Sequence, residues 1–290
     1  MSSFTLINEH ACFGGVQRYY QHASDEIGLP MRFSVFLPKQ ALAQNHDCAA
    51  VFFLAGLTCT EETFMIKAGA QQHAAAAGLI LICPDTSPRG ANLPNETNAW
   101  DLGVGAGFYL DATQAPWLRH YRMHSYIVHE LRPRLIEELH LQANKIGIMG
   151  HSMGGHGALT LALKHPDIFS SVSAFAPIAA PSMCPWGEKA FTAYLGNDQA
   201  AWKNHDASAL MQQHFQEHQS APFASPILID QGLKDSFLAT QLHPQEFVQA
   251  CATANQALQY REHEHYDHGY YFIMSFIADH IAHHAKYLNS

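Results

Sequence analysis

The chain has 290 residues, of which 48% are hydrophobic, so it can bury a large core in one or two domains. Its formal net charge of −9 argues against a general nucleic-acid binder, which would present a basic surface. No apolar run reaches about 18 residues, so the sequence contains no candidate transmembrane helix.

The N-terminus and the cysteines indicate a cytoplasmic protein. Residues 1–10 lack a basic segment followed by an apolar stretch, so no secretion signal is predicted. The 6 cysteines are widely spread and include no Cys-x-x-Cys pair. In a chain of this size they are typical of reduced cytosolic thiols.

Short apolar runs alternate with longer helical patterns along the chain, which predicts an α/β fold with a mainly parallel central sheet and helices on both faces. The predicted strands are 33–37, 50–54, 79–83, 145–149, 172–175 and 226–230, and a further strand ends within 260–269. The predicted helices are 63–77, 125–140, 154–165, 244–254 and 270–287.

Two segments, 86–120 and 178–222, are rich in proline, glycine and tryptophan. We expect them to be long connections that shape a binding site. The organisation predicted is a single domain over 1–290 with loop insertions near these two segments.

The sequence Gly-His-Ser-Met-Gly at 150–154 follows an apolar strand and leads directly into a helix. Glycines suit a strained strand-to-helix turn in which the backbone packs tightly against its neighbours. Ser152 then lies at a helix N-terminus, where amide groups favour developing negative charge. A glycine-rich turn that merely carries a serine is the alternative, but the strand and helix on either side favour an acyl-transfer nucleophile.

A serine hydroxyl needs a base and a third group that fixes the base. In an α/β-hydrolase fold these follow the serine in the order acid, then histidine. Asp230 ends the strand 226–230 and Asp235 lies in the loop after it. We predict Asp235 as the acid because a loop carboxylate can reach an imidazole, and we expect Asp230 to bond turn amides. His268, just before the last helix, is the predicted base.

The histidines around His268 also allow a metal site as a weaker alternative. His263, His265 and His268 have a spacing that resembles metal ligands, but no His-Glu-x-x-His motif accompanies them. His263 and His265 are otherwise expected to be solvated. We therefore expect neither a metal nor a cofactor.

Two backbone N–H groups are predicted to form an oxyanion hole. One belongs to Met153, directly after the nucleophile, and the other to Leu57, in the loop after the strand 50–54. The same loop also fits a simple strand-to-helix connection with Thr60 as N-cap.

With these residues identified, the chain resembles the S-formylglutathione hydrolase (esterase D) family. The resemblance rests on several blocks that together span nearly the whole chain: 56–61, 103–109, 150–158, 173–177, 184–187, 230–232 and 266–268. It implies an α/β-hydrolase fold and hydrolysis of S-formylglutathione to glutathione and formate. It also implies a homodimer or larger homo-oligomer without a metal.

The resemblance supports the roles given above to Ser152, Asp235, His268, Leu57 and Met153. It also makes Cys59 a thiol beside the site. Trp186 and His151 belong to blocks that carry the resemblance, so with Cys59 they are the candidates for the substrate pocket, although Trp186 can also be a core residue. Modification of the Cys59 thiol is then expected to obstruct the pocket. Trp100 and Trp117 are two further tryptophans that either line a small acyl pocket or pack in the core.

Three other functions remain open at this point. They are a carboxylesterase for short-chain acyl esters, a polysaccharide-ester hydrolase, and a non-catalytic binding protein that retains the hydrolase fold. The absence of a predicted secretion signal disfavours the second. The presence of all three triad residue types disfavours the third.

Overall fold

The computed structural model describes residues 4–43 and 46–289. Within them one nine-stranded sheet has the order β1-β2-β3-β5-β4-β6-β7-β8-β9. Neighbours are antiparallel from β1 to β3 and between β3 and β5, and parallel from β5 through β4 to β9. The strands are Thr5–Cys12, Gly15–Ala23, Pro30–Leu37, Ala50–Leu54, Ile80–Pro84, Ile146–His151, Ser171–Phe175, Ile227–Gly232 and Leu258–His263 (β1 to β9).

Helices cover both faces of this sheet. The α-helices are Thr63–Lys67, Ala70–Ala77, Met123–Ser125, Arg132–Glu138, Met153–Lys164, Pro185–Leu195, Gln199–Trp202, Ala207–His218, Pro244–Thr253 and Tyr270–Leu288 (α1 to α10). Two π-helices occupy Tyr126–Leu131 and Leu238–Leu242. Short 3-10 helices lie at Lys39–Leu42, Trp117–Arg119, Pro181–Met183 and Lys203–His205.

Because side chains alternate along a strand, Ser171 and Ser173 of β7 lie on the same face of the sheet. Both hydrogen-bond His284 of α10, which therefore covers this face, and α5 also packs against β7. Every residue of β4, β5 and β6 is buried, as expected for central strands covered on both sides. The predicted α/β fold with a mainly parallel sheet is confirmed.

The predicted strands and helices are present with small shifts in their ends, but three regions differ. β1 and β2, which form an antiparallel hairpin at the sheet edge, were not predicted; β1 is almost wholly exposed and so carries no apolar pattern. The helix predicted at 63–77 is interrupted at Gly69, which has φ +65°. The helix predicted at 125–140 contains the π-helix Tyr126–Leu131.

Besides these three regions, the segment 178–222 differs as well, because it contains α6, α7 and α8 where a connection was predicted. Its prolines and polar residues begin helices: Pro185 stands in the first turn of α6, while Asp198 and Asp206 cap α7 and α8. The segment 86–120 contains only isolated bridges and the 3-10 helix Trp117–Arg119.

Residues 1–3, part of the segment searched for a secretion signal, lie outside the described residues, as do 44, 45 and 290. Among the described helices, none has the length and apolarity needed to cross a lipid bilayer.

Candidate active site

Ser152 stands between β6 and α5 in a strained backbone conformation. Its φ of 58° and ψ of −119° are unusual for a residue with a side chain. Its N–H donates to the Phe175 carbonyl at 3.0 Å, and its own carbonyl accepts from the His156 N–H at 2.9 Å. These bonds hold the serine at the tip of a sharp turn, as in a nucleophile elbow.

The two glycines of the motif are required by close backbone contacts. A Cβ on Gly150 would lie 2.1 Å from the carbonyl oxygen of Gly154. A Cβ on Gly154 would lie 1.9 Å from the carbonyl oxygen of Leu54, at the end of β4. The turn therefore packs directly against the neighbouring strand, and only glycine fits at either position.

Asp235 and His268, 33 residues apart in the sequence, meet at the carboxyl edge of the sheet. His268 Nδ1 lies 2.5 Å from Asp235 Oδ2. The other carboxylate oxygen accepts the Phe237 N–H at 2.8 Å, and the Asp235 side chain is fully buried. A carboxylate can only accept, so Nδ1 carries the proton and Nε2 is left unprotonated.

Ser152 and His268 line the same cavity, which has a volume of about 130 Å³. All three residues predicted for the substrate pocket line it too. The complete lining is Gly56, Leu57, Cys59, Trp100, His151, Ser152, Trp186, Phe237, His268 and Tyr270. A larger cavity of about 490 Å³ near Arg32, Glu61 and Arg89 contains none of the predicted triad.

Aromatic rings form one wall of the cavity. The ring centroid of Trp186 lies 4.7 Å from that of Phe237 and 5.4 Å from that of Trp100. The ring centroids of Phe237 and His268 are 5.0 Å apart. Trp117 is not part of this wall: it is buried in the core against Tyr121 and Tyr194.

The two N–H groups predicted for the oxyanion hole belong to segments that flank the serine. Met153 is the first residue of α5, so its N–H has no acceptor within the helix. Leu57 follows Gly56, where a Cβ would lie 3.2 Å from Ser152 Cβ. Thr58 fixes this loop by donating its N–H to the Gly105 carbonyl at 2.9 Å.

The N-cap prediction in this loop is wrong. The N-cap position of α1 is Glu62, which makes no side-chain capping bond. The Thr60 hydroxyl instead accepts the Glu62 N–H at 3.3 Å, which shapes the turn before the helix.

Burial controls two titratable groups beside the triad. The His151 ring packs 4.5 Å from that of His268. Burial, together with the charge that His268 can carry, holds the pKa of His151 well below its usual value, so this ring stays neutral. Burial also raises the pKa of the Cys59 thiol, which therefore stays protonated at neutral pH.

Asp230 has a structural role, but its partners are not the turn amides that were predicted. It is fully buried and bonds the Arg261 guanidinium at 2.6 Å through each oxygen. Burial opposes its ionisation, yet the hydrogen bonds from His280 and Arg261 outweigh burial and lower its pKa. Asp230 thus ties β8 to β9 and α10.

The histidines considered as metal ligands have separate environments. His263 is partly buried, with its ring 3.7 Å from Phe276, so the expectation of a solvated residue is wrong for it. His265 is exposed, as predicted, and His268 is bound to Asp235. Among the described residues these three do not form a group of close ligand atoms.

Two cavity residues, Phe237 and Tyr270, were missed at the sequence level. Both stand two positions after a predicted triad residue, Asp235 and His268. Loops that carry catalytic groups usually contribute neighbouring side chains to the same site, and this signal was available.

Comparison with known proteins agrees with this geometry. The Esterase family profile matches residues 24–283. The chain is 49% identical over 285 residues to an S-formylglutathione hydrolase of Rattus norvegicus, with 98% of each chain covered. It is 47% identical over 289 residues to an S-formylglutathione hydrolase of Arabidopsis thaliana, with 99% of each covered.

Among solved structures, an S-formylglutathione hydrolase from Agrobacterium tumefaciens superposes with a TM-score of 0.92. It is 44% identical, and the match covers 98% of this chain and 99% of the other. A ferulic acid esterase with a TM-score of 0.73 and 17% identity shares the fold. The chain belongs to the esterase family and, within it, to the S-formylglutathione hydrolases.

Proposed function

We propose that this chain is a serine thioesterase that hydrolyses S-formylglutathione to glutathione and formate. The observation that carries the proposal is the contact between Asp235 and His268 beside a cavity that also contains Ser152. These three residues fill the roles of acid, base and nucleophile in a Ser-His-Asp triad.

In the first half of the reaction, Ser152 Oγ attacks the formyl carbonyl carbon while His268 Nε2 takes the hydroxyl proton. The N–H groups of Leu57 and Met153 stabilise the negative charge that develops on the carbonyl oxygen. The tetrahedral intermediate then collapses: the C–S bond breaks, His268 returns its proton to the sulfur, and glutathione leaves a formyl-serine ester.

In the second half, His268 removes a proton from water, which attacks the formyl carbon. Collapse of this second intermediate breaks the bond to Ser152 Oγ, which regains its proton from His268, and formic acid leaves and loses its proton to solvent to give formate. Asp235 holds the productive imidazole tautomer and stabilises the imidazolium in both halves.

The size of the cavity supports a small acyl group. A volume of about 130 Å³ suits formyl or acetyl and is too small for the tripeptide. The glutathione portion therefore extends over the rim, where Trp100 is 56% exposed. An aromatic rim offers apolar contact area to a thioester leaving group.

The test compares kcat/KM for S-formylglutathione with kcat/KM for p-nitrophenyl acetate and for the formyl thioester of N-acetylcysteamine. A glutathione thioesterase uses binding energy from the tripeptide, so S-formylglutathione should be the best substrate by orders of magnitude. Ser152→Ala should remove all three activities without unfolding the protein. Near-native activity in this variant would overturn the triad assignment.

A general short-chain carboxylesterase is the second candidate, favoured by one observation. Apart from histidine, the residues lining the cavity include no side chain that is charged at neutral pH. If the three substrates give similar kcat/KM values, the cavity recognises only the acyl group and this candidate replaces the glutathione thioesterase.

Location, assembly and domain organisation complete the proposal. All six cysteines are free thiols, which supports a reducing cytoplasmic location. A homodimer or larger homo-oligomer is proposed from the family resemblance, and the full chain 1–290 is proposed to fold as one domain. Light scattering after gel filtration measures the oligomeric state. A single cooperative unfolding transition is expected if the chain folds as one domain.

A further inference from the structure

Three histidines that do not line the cavity come together at the protein surface. Each of His124, His129 and His165 offers one ring nitrogen, and these nitrogens all lie within 4.8 Å of one another. The closest pair is His124 Nε2 and His165 Nε2, at 2.8 Å. Among the described residues this is the group of histidine, cysteine or acidic side chains that meets the distance requirement for holding a metal ion.

A π-helix brings two of the three together. His124 lies in α3 and His129 in the π-helix Tyr126–Leu131 that continues it. In a regular α-helix, residues five apart point about 140° away from each other. The wider π turn reduces this angle, and π segments recur at functional sites. His165 is the C-cap residue of α5, so the third histidine comes from a separate helix.

The His124 and His165 rings are inclined by 32° with centroids 5.0 Å apart, and the His129 ring stands across both. The His129 ring is inclined by 73° to that of His124 and by 90° to that of His165, with centroids 5.7 and 5.9 Å away. His124 and His165 are partly buried and His129 is exposed. The group thus has two positioned ligands, one adjustable ligand and access from solvent.

Asp111 provides the outer support that ligating histidines usually have. Its Oδ2 lies 3.7 Å from His124 Nδ1, on the side of the ring away from His165. The carboxylate is fixed by the N–H and hydroxyl of Ser125, at 3.0 and 2.5 Å. A carboxylate behind a ligating imidazole fixes the ring and raises its basicity. Lys164, the residue before His165, has its amine 3.4 Å from Nδ1 of His205, which is not one of the three histidines.

We propose that His124, His129 and His165 form a binding site for one divalent transition-metal ion, with Zn²⁺ as the ion tested first and Asp111 orienting His124. Zn–N bonds of about 2.0–2.1 Å place tetrahedral ligand nitrogens about 3.3 Å apart, within the range these side chains span. Water from the exposed side completes the coordination.

The site would join the segment around α3 to the C-terminal end of α5. Ser152 precedes the other end of this 12-residue helix, about 18 Å away at 1.5 Å per residue. The ion is therefore expected to stabilise the fold without taking part in ester hydrolysis, and the site does not depend on the proposed function.

The test is calorimetric titration of the full-length, EDTA-treated protein with ZnCl₂, together with thermal unfolding. His129→Ala removes the exposed ligand and should leave the fold intact. The control is His214→Ala, because His214 and His218 form another histidine pair on α8 with rings 4.5 Å apart. Asp111→Asn keeps the shape of the supporting side chain while removing its charge.

The wild-type protein should bind one Zn²⁺ per chain and show a rise in Tm that EDTA reverses. His129→Ala should weaken binding at least tenfold, and Asp111→Asn by about 10- to 100-fold. His214→Ala should bind as the wild type does. Zn²⁺ binding that survives His129→Ala unchanged, that disappears in His214→Ala, or that does not saturate in the wild type would each overturn the site.

Discussion

At the scale of single residues, Asp235 determines how His268 can work. Its two oxygens have different partners: Oδ2 contacts His268 Nδ1, and Oδ1 accepts the Phe237 N–H. The second bond fixes the carboxylate in the loop, so the imidazole is positioned by a group that is itself held. Asp267, one residue before the base, is exposed and accepts the Gly269 N–H at 2.8 Å.

Replacing Asp235 by asparagine should lower kcat by about 10⁴, since an amide at this position favours the wrong imidazole tautomer. The fold should survive because Asn keeps an acceptor for the Phe237 N–H. Steady-state kinetics measures the loss, and circular dichroism checks the fold. Asp267→Asn is the matched control and should keep full activity. A loss of less than tenfold in Asp235→Asn would contradict the role of this carboxylate.

Cys59 should make the enzyme sensitive to thiol reagents, because it lines the cavity beside Ser152. Burial raises the pKa of its thiol, so inactivation by N-ethylmaleimide should be slow at neutral pH and faster at alkaline pH. Cys59→Ser should remain active and resist the reagent. The control is Cys12→Ser, which removes another partly exposed thiol and should behave as the wild type. Equal inactivation of Cys59→Ser and wild type would refute this explanation.

Where chemistry is encoded in local order, the sequence predicts residues that the fold brings to one cavity. Ser152 follows from its motif, and Asp235 and His268 follow from their order after predicted strands. The partners of Asp230 and His263 were not predictable, because Asp230 bonds Arg261 of β9 and His263 packs on Phe276 of α10, and only the folded sheet brings these residues close. A single sequence does not show which side chains oppose each other across strands.

At the scale of elements, the contact between β4 and α5 organises the site. The N-terminal turn of α5 lies against the Leu54 carbonyl, and the loop that carries Leu57 begins just after it. The serine and the predicted oxyanion loop are therefore positioned by one tight backbone contact.

Gly154→Ala should disturb both parts of this arrangement. The added Cβ would lie 1.9 Å from the Leu54 carbonyl oxygen, so α5 and β4 must separate. Overpacking of this kind costs about 1–3 kcal/mol of stability. Activity should fall much more than stability, because the oxyanion donors move relative to the serine. Urea unfolding and ester hydrolysis measure the two effects, and unchanged kcat would show that the contact does not organise the site.

The predictability of the elements follows their burial. The parallel strands β4 to β8 contain apolar runs, and their ends were predicted to within about two residues. The parallel strand β9 is partly exposed and was predicted without a defined start. The exposed edge strand β1 was not predicted. Helices α6 to α8 were not predicted either, because proline, glycine and polar residues in their segment indicate a connection. The π-helix has no sequence pattern that distinguishes it from an α-helix.

At the scale of the whole molecule, the interior holds several neutral histidines. Burial lowers the pKa of His156 to about 4 and that of His283 to about 4. Burial also lowers the pKa of His280, and that of His284 falls well below its usual value. His156 donates its Nε2–H to the Phe108 carbonyl at 3.1 Å, because a carbonyl oxygen can only accept.

These histidines should make the protein acid-sensitive. In the unfolded chain they bind protons below a pKa of about 6.5, whereas the folded protein resists protonation until lower pH. The contribution of these histidines to the free energy of unfolding is therefore fully present above pH 6.5 and is lost as the pH falls toward 4. For His156 alone the loss is about 3 kcal/mol over this interval. Urea unfolding at pH 7.5, 6 and 5 measures the trend, and stability that stays constant or rises on acidification would contradict it.

Ser152 is the proposed nucleophile of this site. The most direct measurement is labelling of the native protein with a fluorophosphonate, followed by mass spectrometry of the peptides. We expect one phosphonate per chain on Ser152, blocked when S-formylglutathione is present in excess and absent after denaturation or in His268→Ala. Labelling at another residue, or a native protein that does not react, would contradict the account.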